Sequence, residues 1–140
     1  MKIVFLDAAS IGADIDLSGF DALGEVKRYD YSTSEEAAER ITDADVVVIN
    51  KIPINETTLK KAKNLKLVCV TATGTDNLDK DYLEKRGIAW RNVAGYSTES
   101  VAQHTFALLF YLYEKLRYYD DYVKTEQYIG DRSFSHFGNV

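Results

Sequence analysis

Apolar runs recur along this chain with a period of roughly 21 residues, and that spacing restricts the fold more than any other feature. The runs are residues 3–6, 26–29, 46–49, 67–70 and 88–90, the second being the weakest. Three of them are continuous and rich in Val, Ile and Leu instead of alternating apolar with polar. Strands buried on both faces read this way, and such strands belong to parallel sheets covered by helices. The residues between the runs do not match one another, so the period is that of a β–α unit and not of a sequence repeat. A length of 140 residues fits one domain.

Helix starts are marked between the runs. Thr33-Ser34-Glu35-Glu36 has the form of a capping box, with Thr33 bonding the backbone at Glu36 and Glu36 reaching back. Asn55 is placed to cap a helix flanked by Ile54 and Leu59, Asp79 one flanked by Leu78 and Leu83, and Ser97 one flanked by Tyr96 and Val101. Each flanking pair occupies hydrophobic-staple positions. Gly87 after Lys85 and Arg86 reads as a helix end leading into a strand.

The expected strands are therefore 2–6, 25–29, 45–49, 67–71 and 88–91, with helices over 16–23, 34–41, 56–62, 80–86 and 98–118. Right-handed crossovers make this an α/β fold, a flavodoxin-like doubly wound parallel five-stranded sheet of order 2-1-3-4-5 with a long C-terminal linker helix. Ligands of such sheets sit outside the carboxyl ends of the strands. That singles out the loops 7–12, 50–55, 71–77 and 92–97. The last helix differs from the rest, because residues 106–113 are apolar on every side. One small domain cannot surround such a helix, so it calls for a further domain or a second subunit. The segment after Arg117 mixes Tyr118, Tyr119, Tyr122, Tyr128, Phe134 and Phe137 with polar residues and cannot build a core alone.

Composition narrows the function. A net charge of −5 argues against a nucleic-acid or anionic-membrane surface. The longest apolar stretch, residues 106–113, falls well short of the roughly 20 residues a membrane span needs. No leader pattern precedes Ile3, and Cys69 is the single cysteine, so the expectation is a cytoplasmic protein without internal disulfides. Cys69 sits in a continuous apolar run, where it reads as a small hydrophobe. No glycine spacing forms GxGxxG or GxxxxGK[ST], and there is no HExxH, CxxC or GxSxG, so neither a dinucleotide fingerprint nor a metal site is expected. His104 reads as a partly buried polar residue in the last helix, and His136 lies in the tail.

Three places carry candidate chemistry. Thr71 to Asn77 follows the fourth strand, and Gly74 within it lets backbone N–H groups approach an anion. The same glycine also fits a plain strand-to-helix turn that needs Gly for its geometry. Lys51, directly after the third strand, either attracts an anionic substrate or is simply solvated. Tyr96 either enters the cleft or serves as the staple partner of Val101.

The segment TATGTDNLDKDYLEKRGIAWRNVAGYSTESVAQHTFALLF, residues 71–110, resembles the stretch before the cofactor domain in D-isomer-specific 2-hydroxyacid dehydrogenases, nearest the glycerate dehydrogenase or hydroxypyruvate reductase branch. The pieces are Gly74-Thr75-Asp76-Asn77-Leu78-Asp79, Gly87-Ile88, Asn92-Val93 and Ser100-Val101-Ala102-Gln103, with DVVVINKIPI and LKKAKNLKLV upstream. The resemblance implies a substrate domain over 1–97, an interdomain or dimerisation helix over 98–118, and a tail over 119–140 leading into an NAD-binding or NADP-binding domain past Val140. It implies that the backbone at Thr73, Gly74 and Thr75 holds the substrate carboxylate and that Lys51 lies at the substrate edge. Tyr96 and Ser97 would flank the pocket, with Ser97 and Val101 near the nicotinamide, while Asn77 and Asp79 hold the loop and start the helix. The family's catalytic Arg, Glu and His would lie beyond Val140. The 140-residue chain alone is then expected to bind no dinucleotide, to contain no catalytic residue of its own and to be inactive, with a small 2-hydroxy or 2-keto acid as ligand and a homodimer through 98–118.

Two other readings compete. A corepressor-like dimerisation module of the same family would use the fold without the chemistry. A receiver-like signalling domain would need a phosphoacceptor Asp where this chain has Asn50, alongside Asp7 and Arg91.

Overall fold

The computed structural model describes residues 1–130, which divide into two compact units, Met1–Gly95 and a second beginning at Tyr96. The first unit is built on five parallel strands: β1 Lys2–Phe5, β2 Glu25–Arg28, β3 Val46–Ile49, β4 Leu67–Val70 and β5 Ala89–Asn92. Their order is β2-β1-β3-β4-β5, as the apolar period implies. Register is continuous across the middle: Val4 lies beside Val47, Val47 beside Val68, and Val68 beside Trp90.

One sheet face presents Val4, Leu6, Val47, Ile49, Val68 and Val70 to α1 (Ser34–Arg40), α2 (Glu56–Leu59) and α3 (Lys80–Lys85), which bury Ala37, Leu59 and Leu83 against it. The opposite face presents Ile3, Phe5 and Val48, packed by Leu17 and Phe20. Phe20 meets Phe5 edge-on at 5.1 Å. Leu67 and Cys69 on that face are only half-buried. Burial raises the Cys69 thiol pKa despite the opposing Arg91 charge, which leaves an unreactive sulfur.

The capping assignments hold for the first three helices. Thr33 and Glu36 close a reciprocal capping box. Asn55 accepts from the Thr58 N–H while the Thr58 hydroxyl answers to the Asn55 N–H. Asp79 accepts from the Tyr82 N–H at 3.0 Å. The staple pairs Ile54 with Leu59 and Leu78 with Leu83 are all buried.

Four expectations need correction. The helix expected over 16–23 is a 3-10 turn, Ser18–Leu23. Asp16 accepts from both the N–H and the hydroxyl of Ser18, a local bonding pattern that competes with α-helix nucleation. The helix expected over 56–62 ends at Leu59, tightened by an Ala62 N–H to Leu59 O bond, and the Arg86 guanidinium takes up the Leu59 and Ala62 carbonyls. The third staple buries nothing, since Tyr96 and Val101 are exposed. Ser97 stands at the helix start, but its φ of −102 and ψ of 0 lie outside the extended region a capping side chain needs, and it makes no side-chain cap.

The fourth correction concerns the helix expected over 98–118. It is two helices, α4 Thr98–Tyr113 and α5 Leu116–Lys124. Lys115 between them adopts φ 48, ψ 42, the left-handed conformation that ends a helix and usually belongs to Gly or Asn. The break falls where the apolar run gives way to Glu114. α5 has its own apolar stripe, Leu116, Tyr119 and Val123, with the Lys124 to Asp120 pair at 2.6 Å. Every residue of α4 is exposed, including His104, which was expected to be partly buried. Phe134, His136 and Phe137 of the expected tail lie outside the described residues.

Candidate functional site

Three loops leave the carboxyl ends of β1, β3 and β4. The loop after β4 is pinned on both sides. Thr71 donates its N–H and hydroxyl to the Ile49 carbonyl, at 2.8 and 3.2 Å. From the other side Val93 N–H donates to Ala72 O at 3.1 Å, Asn92 Nδ2 to Thr73 O at 2.7 Å, and the Thr73 hydroxyl to Val93 O at 3.1 Å. Downstream, Leu78 N–H closes a turn onto Thr75 O, and Ile54 pairs with Leu78 across a one-residue parallel bridge.

Between these pins the backbone N–H groups of Thr73, Gly74, Thr75 and Asp76 meet no protein acceptor among the described residues. Thr73 and Gly74 are exposed and Thr75 is half-buried. A run of N–H donors at a strand end attracts an anion. Gly74 bears on which reading of this loop is right. Its φ is not left-handed, and an added Cβ would meet only the Asp76 carboxylate oxygen, at 3.1 Å. The turn therefore does not require glycine for its backbone, and the open space above it suits close approach of a ligand.

The loop after β3 carries Lys51, exposed, with no hydrogen bond or ion pair to its ammonium among the described residues. Its backbone is held from two directions. Asp7, 5% exposed at the end of β1, accepts from the Asn50 N–H at 2.9 and 3.1 Å and from the Lys51 N–H at 2.7 Å. Asn77 Nδ2 donates to Asn50 O at 3.2 Å and Ile52 O at 3.0 Å, and Asn77 O accepts from Ile54 N–H. The N–H groups of Asn50 and Lys51 are thus bonded to the β1 end, and the carbonyls of Asn50 and Ile52 to the β4 loop.

Of the residues singled out from the sequence, Lys51, Thr73, Gly74 and Thr75 fall on neighbouring loops of the first unit. Tyr96, Ser97 and Val101 belong to the second: Tyr96 and Val101 are exposed and Ser97 is half-buried. Sequence reasoning weighed Asp7 only as a receiver acid and missed its grip on the β3 loop. The available signal was an Asp directly after an apolar strand, on the side where ligands bind. Among the described residues no cluster of three His, Cys, Asp or Glu side chains forms a metal site, and no helix is long and apolar enough to cross a membrane.

Known proteins resemble this chain in sequence and fold. A putative 2-hydroxyacid dehydrogenase of Haemophilus influenzae is 40% identical over 116 residues, covering 83% of this chain and 37% of the relative. A glycerate dehydrogenase of Methylorubrum extorquens is 35% identical over 137 residues, covering 97% of this chain and 43% of the relative. The chain thus spans about two fifths of the length of these relatives. Among solved structures, a D-lactate dehydrogenase of Aquifex aeolicus complexed with NAD and lactic acid superposes with a TM-score of 0.73 at 28% identity, covering 97% of this chain and 39% of that one. The family model for the catalytic domain of D-isomer specific 2-hydroxyacid dehydrogenases matches residues 3–135, and the chain belongs to that family.

Proposed function

We propose that this chain forms the substrate-carboxylate side of an NAD(P)-dependent oxidoreductase that interconverts a D-2-hydroxy acid and its 2-keto acid, of the glycerate and hydroxypyruvate type. The observation that carries the reading is the run of N–H donors from Thr73 to Asp76, beside a β3 loop that presents a Lys51 ammonium unpaired among the described residues. Backbone N–H groups suit a carboxylate because they are fixed donors that need no side-chain ordering on binding. Lys51 adds a cation to attract the anion. Their part in the reaction is to bind and orient the acid. Tyr96 and Ser97 flanking the pocket, and Ser97 with Val101 near a nicotinamide, are part of the same proposal.

The dinucleotide implied by the family does not fit the residues of the first unit. A pyrophosphate is held at an open helix N-terminus behind a glycine-rich turn. Here the starts of α1, α2 and α3 are occupied by their own caps, Thr33, Asn55 and Asp79. The 140-residue chain by itself is proposed to bind no dinucleotide and to show no turnover. A cytoplasmic setting is part of the proposal.

The exposed α4 supports one further reading, of association. Phe106, Leu109, Phe110, Leu112 and Tyr113 are each more than half exposed. A patch of that kind marks an interaction surface, and we propose a homodimer through residues 98–118.

The test is a titration of the 15N-labelled chain with D-glycerate, with acetate and chloride at equal ionic strength as controls. Saturable shifts in the amides of residues 73–76, larger for glycerate than for the controls, support the carboxylate reading. Shifts spread evenly over the surface, or equal for chloride, overturn it.

A further inference from the structure

Asp7 carries a buried negative charge that no cation neutralises among the described residues. Its carboxylate is satisfied by backbone dipoles: Asn50 N–H at 2.9 and 3.1 Å and Lys51 N–H at 2.7 Å. A carboxylate that is nearly inaccessible is costly unless its lone pairs are filled in this way. Ser10 stiffens the acceptor side of this arrangement, its N–H and hydroxyl both donating to the Asp7 carbonyl, at 3.0 and 2.6 Å. Asn50 Nδ2 in turn reaches Ser10 O at 3.4 Å. The consequence bears on Lys51. Asp7 binds the Lys51 backbone N–H without engaging its ammonium, so the lysine is fixed at its root while its charge stays available. Asn77 fixes the loop from the opposite side through the carbonyls of Asn50 and Ile52, which flank Lys51.

We propose that Asp7 is a positioning residue for carboxylate binding: it anchors the β3 loop so that the Lys51 ammonium stands at the edge where a 2-hydroxy or 2-keto acid is bound. This rests on the carboxylate reading of residues 73–76. Asp7 acts through Lys51, and it is the pair of acceptor oxygens, placed at the β1 end, that matters. In Asp7→Asn one oxygen can still accept from Lys51 N–H, but the new NH2 faces the Asn50 N–H as donor against donor. The loop then keeps only the longer contact of Asn50 N–H with the remaining oxygen, at 3.1 Å, and is held less firmly.

The experiment is a double-mutant cycle read by D-glycerate titration of the full 140-residue chain, using wild type, Asp7→Asn, Lys51→Ala and the double variant. Lys51→Ala weakens glycerate binding about tenfold, Asp7→Asn weakens it by a similar factor, and adding Asp7→Asn to Lys51→Ala costs less than about twofold more. A merely structural Asp7 would lower affinity by the same factor in both backgrounds, and that additive result overturns the proposal. An unchanged affinity in Lys51→Ala overturns it as well. If wild type shows no glycerate-specific shift at residues 73–76, the carboxylate reading itself has failed, a result distinct from both of these. Should Asp7→Asn lose the dispersed spectrum of a folded chain, Asp7→Glu takes its place in the cycle. It keeps the charge but displaces the loop by one methylene, and the same coupling with Lys51 is expected.

Discussion

Replacing Gly74 by alanine separates a glycine kept for a ligand from a glycine kept for a turn. The backbone at Gly74 is not left-handed, and the new methyl would meet one atom, the exposed Asp76 carboxylate oxygen at 3.1 Å. That oxygen ends a short, solvent-facing side chain and can move aside. Alanine removes unfolded-state freedom worth about 0.4–1 kcal/mol, which the small readjustment of Asp76 partly offsets. Net stability should change by less than about 0.5 kcal/mol, or within about 3 °C in Tm. Binding should behave differently, because the methyl occupies the space through which a carboxylate reaches the N–H groups of residues 73–76. Losing one charge-assisted hydrogen bond costs about 1.5–3 kcal/mol, so the Kd for D-glycerate should rise about tenfold or more. Gly24→Ala is the contrasting control. There φ is +155 and the added Cβ would sit 2.1 Å from Met1 O, which is itself held by Glu25 N–H. Backbone cannot yield as a side-chain end does, and the cost should be about 2 kcal/mol or more. Thermal melts and amide titrations of the two variants decide the matter. A Gly74→Ala chain that is folded and binds glycerate as wild type does would refute the reasoning, and so would one as destabilised as Gly24→Ala.

Asn77→Ala removes the donors to Asn50 O and Ile52 O and should cost about 1–2 kcal/mol, seen as a lower urea midpoint at unchanged m-value. Asp79→Ala should cost about 1 kcal/mol through its lost cap, whereas Ser97→Ala, which removes no capping bond, should leave stability unchanged in the same urea series. Asp45 is held below the ordinary carboxylate range, chiefly by accepting from the Lys2 N–H, so its contribution is complete above its unfolded value of about 3.9 and is lost as pH falls through the lower folded value. Urea midpoints recorded from pH 6 down to about 2.5 should therefore fall less steeply for Asp45→Asn than for wild type. Sedimentation equilibrium at about 100 μM should show a dimer that Leu109→Asp with Leu112→Asp converts to monomer, and a monodisperse wild-type monomer would count against association through α4.

The strand order was legible from the sequence because a parallel sheet buried on both faces leaves unbroken apolar runs, and the right-handed crossover rule admits few arrangements of them. Caps at Thr33, Asn55 and Asp79 were legible because each is a local bond between residues three apart. So was the glycine loop, since its position follows from the end of β4. What the sequence could not show depends on groups distant along the chain. Arg86 shortens the exposed carbonyl end of α2 from 24 and 27 residues away, and Asp7 secures the β3 loop across 43 and 44 positions. Lys115 ends α4 in a left-handed conformation with neither Gly nor Pro to announce it. Ser97 has a capping residue's identity without the backbone angles that would let it cap. Short-range hydrogen bonds are written in spacing; the partners of a buried carboxylate are settled only when distant strand ends are brought side by side.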